Sequence, residues 1–236
     1  MNKETVWGNE AAAFGTHSKA KKLAEDVIAN LLKNNIPYIR ALDFPCGAGS
    51  FSRELASMQC EVVSADIQKN ELFVFDDSRF VLADGNETLP FDDNSFDLIC
   101  SIEGIEHFEN PSFFIRECFR VTKPGGYLLL STPNVDSYSS KKRALFKGYV
   151  KFFMPIAEDE KESGHLLPVD MIFLKNRLKK AGFSLEKITH NDFRKGSGPS
   201  FLREIFRKVF ASKWKFGLGE KVPFYGETLL YVARKP

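Results

Sequence analysis

Residues 38–56 read YIRALDFPCGAGSFSRELA. An apolar run from Ile39 to Phe44 passes through Asp43 and a turn containing Gly47 and Gly49, then enters a pattern with apolar residues at helical spacing, Ser50 to Met58. A strand that turns tightly into a helix commonly holds a nucleotide-like ligand at the helix start. Two phosphate-binding readings fail. No Lys-Ser or Lys-Thr pair closes the turn, which excludes a Walker loop, and Ser52 stands where the G-x-G-x-x-G fingerprint needs its third glycine. Pro45 removes one backbone N–H donor from the turn and fixes its own φ.

Outward from this stretch the same alternation repeats. CEVVSADI, RFVLADG, SFDLICSI and GGYLLLSTP are near-continuous apolar runs, as expected of strands buried on both faces. Between them NPSFFIRECFRVTKP has helical spacing, with Pro111 near its first turn and Pro124-Gly125-Gly126 after its end. PVDMIFLKNRLKKAGF predicts a helix that starts at Pro168, turns Val169, Ile172 and Phe173 to one face and stops at Gly182. SLEKITH and GETLLYVARK predict two closing strands. The fold expected is α/β, doubly wound, with a seven-stranded mostly parallel sheet whose last strand is antiparallel. One domain spans 1–236, with an N-terminal helical cap (1–37), a lid insertion (134–167) and a basic amphipathic segment (193–222).

In open α/β sheets, ligands bind beyond the carboxyl ends of the strands. Asp43, Asp66 and Asp84 fall at the ends of the first three strands. A helix cap or a solvated loop is the plainer reading for any one of them, but their shared position favours a ligand. A carboxylate can grip a vicinal diol, and three acids suit adenosine joined to a cationic amino acid-like arm without phosphate.

Residues 38–135 resemble a class I S-adenosylmethionine-dependent methyltransferase. LDFPCGAG is similar to the first motif of that family, SADI to the second, LADGNETLPFDDNSFDLI to the third, and SIEGIEHFENPSFFIRECFRVTKPGGYLLLSTPN continues the series. The resemblance implies S-adenosyl-L-methionine as cofactor. It implies that Gly47 and Gly49 approach the methionine portion with Asp43 nearby, that Asp66 holds the ribose, that Ile67 packs on adenine, and that Asp84 with Gly85 meets the adenine amino group. The TPN sequence and the stretch around His165 resemble bacterial glycan-biosynthesis methyltransferases, which implies O-methylation of a sugar or glycan intermediate. A small metabolite or a quinone-like hydroxyl is the alternative acceptor. A nicotinamide-dependent oxidoreductase and a non-catalytic cofactor-binding module are the rival readings.

A hydroxyl acceptor benefits from a base, and histidine is the usual choice. His107, just beyond the fourth strand, and His165, before the later helix, are the catalytic candidates; Glu103 and Glu106 are further candidates. His17 and His190 are less well placed, although His17 could belong to an N-terminal lid. Each has the plainer reading of a loop or cap residue.

The chain of 236 residues, 43% apolar, is long enough for one sizeable core. Cys46, Cys60, Cys100 and Cys118 show no metal-ligand rhythm and read as reduced packing residues, so no metal is expected. No run approaches the about eighteen apolar residues of a membrane span, and no leader pattern opens the chain, so a cytoplasmic location is expected. Net charge is +2 and no nucleic-acid partner is expected. From Glu71 to Glu109 there are eleven acids and one base, whereas Tyr138 to Ala157 hold five bases and no acid. The basic segments interleave aromatic residues, and are expected to be lids whose apolar side packs on the domain; a peripheral membrane contact is the alternative.

Overall fold

The computed structural model describes residues 16–153, 164–191 and 226–236. Among the described residues, seven strands form one sheet: β1 (Arg40–Asp43), β2 (Glu61–Asp66), β3 (Phe80–Leu82), β4 (Phe96–Ser101), β5 (Thr122–Pro133), β6 (Ser184–His190) and β7 (Thr228–Arg234). Their spatial order is β3-β2-β1-β4-β5-β7-β6. Neighbours from β3 through β5 pair in parallel, and β7 is antiparallel to both β5 and β6. Each apolar run of the sequence is therefore a strand, and the expected fold is the observed one. The order reverses between β1 and β4, which opens a crevice at their carboxyl ends.

Five α-helices accompany the sheet among the described residues: α1 (Thr16–Lys33), α2 (Ser50–Ser57), α3 (Pro111–Val121), α4 (Tyr138–Lys147) and α5 (Met171–Ala181). The two-residue period of the strands sorts the core into two layers. Ala41, Leu98, Cys100 and Leu129 pack with Ala20, Leu23 and Leu31 of α1 and with Phe51 and Leu55 of α2. Leu42, Ile99, Leu128 and Leu130 pack on the opposite face with Phe114, Ile115 and Cys118 of α3 and with Leu174 and Leu178 of α5. Each such fully buried aliphatic side chain contributes about 1.5–3 kcal/mol of transfer free energy. All four cysteines are buried and free, in keeping with packing roles.

Helix starts follow local capping. In α3 the Asn110 side chain accepts the Phe113 N–H at 3.0 Å and Pro111 occupies the first turn. In α5 the Asp170 carboxylate accepts the Phe173 N–H at 2.8 Å, so the helix begins at Met171 rather than at Pro168. That cap sets the phase: Met171, Leu174 and Leu178 face the core, while Ile172 is exposed. Gly182 ends α5 with φ +112°, as expected of a left-handed C-terminal cap, and a Cβ there would lie 2.7 Å from Phe119.

The stretch expected to be a lid contains α4, capped by Ser137, whose hydroxyl accepts the Ser140 N–H at 3.2 Å. Its apolar residues do not pack on the domain as the spacing suggested. Leu145 is 79% and Phe146 75% exposed, and Ser140 is the residue of α4 that is buried. The basic segment 193–222 lies outside the described residues.

Candidate active site

Loops leaving the carboxyl ends of five parallel strands enclose a cavity of about 470 Å³. Its wall runs from Phe44 to Ala48 after β1, Asp66 and Ile67 at β2, Ala83 to Asn86 after β3, Ile102 and Glu103 after β4, and Pro133 at the end of β5. Two brackets hold these loops in place. The Arg120 guanidinium donates to the Phe91 and Leu89 carbonyls at 2.8 and 3.0 Å and to Glu117 at 2.7 Å, while Glu117 accepts the Leu89 N–H at 2.9 Å. The Asn86 side chain accepts the Glu109 and Asn110 N–H groups at 2.8 and 3.2 Å, which joins the β3 loop to the β4 loop.

Five of the residues predicted to hold the cofactor line this cavity: Gly47, Asp66, Ile67, Asp84 and Gly85. Asp66 accepts the Gly47 N–H through Oδ2 and the Ile67 N–H through Oδ1, both at 2.8 Å. The Gln68 backbone N–H is a third donor to this carboxylate, which still keeps acceptor capacity for a ligand. Burial raises the Asp66 pKa, against the lowering effect of these backbone donors. Asp84 accepts the Asn86 N–H at 2.8 Å. Gly47 adopts φ +51°, and a Cβ on it would meet nothing within 4 Å, so the backbone is bare where it faces the cavity.

The other two predicted residues stand behind the wall. Gly49 adopts φ +77°, starts α2, and carries the Phe73 ring so closely that a Cβ would lie 2.6 Å from it. Asp43 is 1% exposed and accepts the Ser52 hydroxyl at 2.6 Å, and Ser52 in turn accepts the Ser64 hydroxyl at 2.7 Å. Ser52, which broke the dinucleotide fingerprint, is thus the partner of Asp43. The Phe44–Pro45 peptide is cis, and the Pro45 ring packs on Gly104, where a Cβ would clash with it.

The structure brings His107 and His165 together in the same cavity wall. Their rings meet edge to face with centroids 4.8 Å apart. His107 Nδ1 lies 2.9 Å from the Gly164 carbonyl and His165 Nδ1 lies 3.0 Å from the Phe152 carbonyl. The Leu166 and Leu167 N–H groups donate to the Glu106 carbonyl at 2.9 and 3.2 Å, which ties the 164–167 segment to the 3₁₀ turn Ile105–His107. Burial lowers the His107 pKa, partly offset by the Gly164 carbonyl and by the charge of Asp66.

Glu103, half-buried in the cavity wall, and Glu106, wholly buried, lie beside this corner. Glu103, at φ +53°, exchanges bonds with Ser131: its N–H donates to the hydroxyl at 2.9 Å and its Oε1 accepts from it at 2.8 Å. Glu106 is wholly buried; Thr132 donates to Oε2 at 3.0 Å, and among the described residues Oε1 has no hydrogen-bond partner. Burial raises both carboxyl pKa values, and the charge of Glu103 raises that of Glu106 further.

Several wall residues carried little or no signal in the sequence. Thr228 arrives on β7 and Phe152 from the turn after α4. His17 of α1, which the sequence suggests less strongly than His107 and His165 and as part of an N-terminal lid, lines the cavity with its ring 5.8 Å from that of Phe51. Its helical spacing from Ala20 and Ala24, three and seven residues on, marks it as inward-facing. His190 lies at the end of β6, its Nδ1 2.9 Å from the Asn191 carbonyl, and it does not join the cavity wall.

Residues 42–130 match the methyltransferase domain family. A demethylmenaquinone methyltransferase from Clavibacter sepedonicus is 33% identical over 174 residues, 66% of this chain and 69% of that protein. The chain belongs to the S-adenosylmethionine-dependent methyltransferases. Its cofactor is S-adenosylmethionine, and the bare Gly47 backbone, the spare Asp66 lone pairs and the cavity size fit that molecule. The nicotinamide and non-catalytic readings are thereby set aside. A ubiquinone biosynthesis O-methyltransferase from Agrobacterium fabrum is 36% identical over 106 residues, 41% of each chain. This methyltransferase spans about half the length of most of the curated relatives it matches. The fold is shared with a methyltransferase structure from Archaeoglobus fulgidus, with a TM-score of 0.59 at 19% identity over 91% of this chain and 94% of that one. None of the described helices is long and apolar enough to cross a membrane.

Proposed function

We propose that this methyltransferase methylates a hydroxyl oxygen of a small, quinone-like acceptor placed against His107 and His165. The observation that carries this reading is the convergence of the two imidazoles in the wall of the cofactor cavity, beside apolar Ile102, Phe108, Pro133 and Phe152. The cofactor supplies a methyl group on a sulfonium, and the chain aligns that carbon with the acceptor oxygen in line and excludes water. Gly47, Asp66, Ile67, Asp84 and Gly85 hold the donor; His107 and His165 face the hydroxyl, whose proton leaves as the oxygen–carbon bond forms. Asp43 and Gly49 shape the donor loop from behind.

The names of the relatives, which include demethylmenaquinone and ubiquinone-pathway methyltransferases, support a quinone-like acceptor. The sugar or glycan acceptor draws no support from them, and an apolar wall offers a saccharide few partners. The exposed Leu145 and Phe146, flanked by Lys142 and Lys147, support contact with an anionic membrane surface as the way an apolar acceptor is reached. The test is transfer of labelled methyl from S-adenosylmethionine to catechol- and hydroquinone-type acceptors and, in parallel, to nucleotide sugars. Transfer to the aromatic hydroxyls is expected; transfer confined to the sugars overturns the reading.

A further inference from the structure

We propose that Glu106, His107 and His165 form a binding site for one divalent first-row transition-metal ion of the zinc or cobalt type. One ligand atom from each, two imidazole nitrogens and a carboxylate oxygen, lies within 4.8 Å of the others. Bonds of about 2.0–2.1 Å around a tetrahedral ion put donors roughly 3.4 Å apart, so the three side chains draw closer when they bind it.

Three observations point to a ligand rather than to packing. Glu106 is wholly buried, yet its Oε1 has no hydrogen-bond partner among the described residues, and a buried carboxylate oxygen without a proton donor or a cation is costly. Both histidines direct Nδ1 at a main-chain carbonyl, Gly164 at 2.9 Å and Phe152 at 3.0 Å. A carbonyl can only accept, so Nδ1 carries the hydrogen and Nε2 carries the lone pair; this backing by a carbonyl is the arrangement that orients metal-bound imidazoles. Third, the segment that brings His165 to His107 is itself fastened to the Glu106 main chain by the Leu166 and Leu167 N–H groups, so the donors are held as one unit.

The donor set selects the ion. Two imidazoles and one carboxylate are poor ligands for magnesium or calcium, which take oxygen, and suit zinc, cobalt, manganese or iron. Three protein ligands leave a coordination position for the acceptor oxygen. This rests on the proposed placement of the hydroxyl acceptor, and it names how the hydroxyl is activated: an oxygen bound to a divalent cation loses its proton far more readily, and the proton goes to solvent.

The experiment uses the full chain dialysed against EDTA and titrated with Zn²⁺ by calorimetry and with Co²⁺ by visible absorption. One equivalent is expected to bind, with Co²⁺ bands of a low-coordinate nitrogen-and-oxygen site. Glu106→Gln and His165→Gln should each weaken binding by at least about tenfold, while far-UV circular dichroism and thermal midpoints identify any variant that has lost its fold. His165→Ala gives a second substitution on a segment outside the sheet. Absence of saturable binding, or binding unchanged in the folded variants, overturns the site. EDTA-treated enzyme that methylates aromatic hydroxyls at the full rate overturns the role of the ion and leaves the acceptor reading standing. A one-to-one metal complex that methylates no aromatic hydroxyl overturns the acceptor reading and leaves the site.

Discussion

The Asp66 carboxylate accepts the Gly47 N–H at 2.8 Å and so joins the end of β2 to the turn that leaves β1. One side chain therefore shapes the donor loop and faces the ligand. Replacing Asp66 with Ala removes both roles. Hydrogen bonds to a charged group contribute about 1.5–3 kcal/mol, so affinity for S-adenosylhomocysteine should fall by about ten- to a hundredfold. Calorimetric titration checks this; an unchanged affinity would remove Asp66 from the ribose contact.

The two glycines of the turn should respond differently to alanine. At Gly47 a Cβ meets nothing within 4 Å, and the expected cost to folding is the left-handed strain alone, about 1–2 kcal/mol, together with weaker cofactor binding because the methyl enters the cavity. At Gly49 the Cβ would lie 2.6 Å from Phe73, so strain and overpacking add and the loss should exceed about 2 kcal/mol. Urea unfolding of Gly47→Ala and Gly49→Ala ranks the two; the reverse order would contradict the packing described.

Asp43 gives a pH-dependent prediction. Burial pushes its carboxyl up to about 7, with the Ser52 hydrogen bond opposing and the charge of Asp66 reinforcing the shift. A carboxyl whose folded pKa exceeds its unfolded value binds more protons when folded, so its contribution falls as pH rises from the ordinary carboxyl range toward 7. An asparagine side chain at this position would keep the Ser52 contact through its carbonyl without titrating. Asp43→Asn should therefore gain stability on the wild type across that window, by up to about 1.4 kcal/mol per pH unit. Unfolding free energies at a series of pH values measure the gap, and a constant gap refutes the assignment.

Arg120 holds the β3–β4 connection through Leu89, Phe91, Asp93 and Glu117. Arg120→Met keeps the aliphatic stem but leaves Glu117 without its cation. Breaking such a partly buried network should cost about 2–4 kcal/mol and slacken the loop that carries Asp84. Chemical denaturation and cofactor titration report the two effects separately, and loss of neither would show the bracket to be dispensable.

The middle of the sheet is readable because β4, β5 and β7 are buried on both faces, which forces near-continuous apolar runs such as Leu128–Leu130, whereas β3 and β6 at the edges are only half-buried. α5 starts at Met171 and not at Pro168 because proline and an Asp cap are both start signals, and only the Asp170–Phe173 hydrogen bond decides between them. Leu145 and Phe146 have the spacing of a packed face, yet spacing does not say whether a surface awaits them. At the site, the acids at strand ends were visible because topology fixes where strand ends go. That Asp43 turns inward to Ser52 while Asp66 turns to the cavity depends on side-chain partners brought in from α2 and from the turn after β1. The meeting of His107 with His165 depends on main-chain bonds between Glu106 and Leu166, which no pattern of residue types encodes.

The placement of β7 has a consequence for how the enzyme is made. This strand lies between β5 and β6 although it follows both in the chain, and it delivers Thr228 to the cavity wall. Until β7 is in place, β5 and β6 each present an unpaired edge toward the position it fills. The nascent chain is thus exposed to wrong partners until residues 228–234 emerge, and the same insertion that closes the sheet completes the pocket.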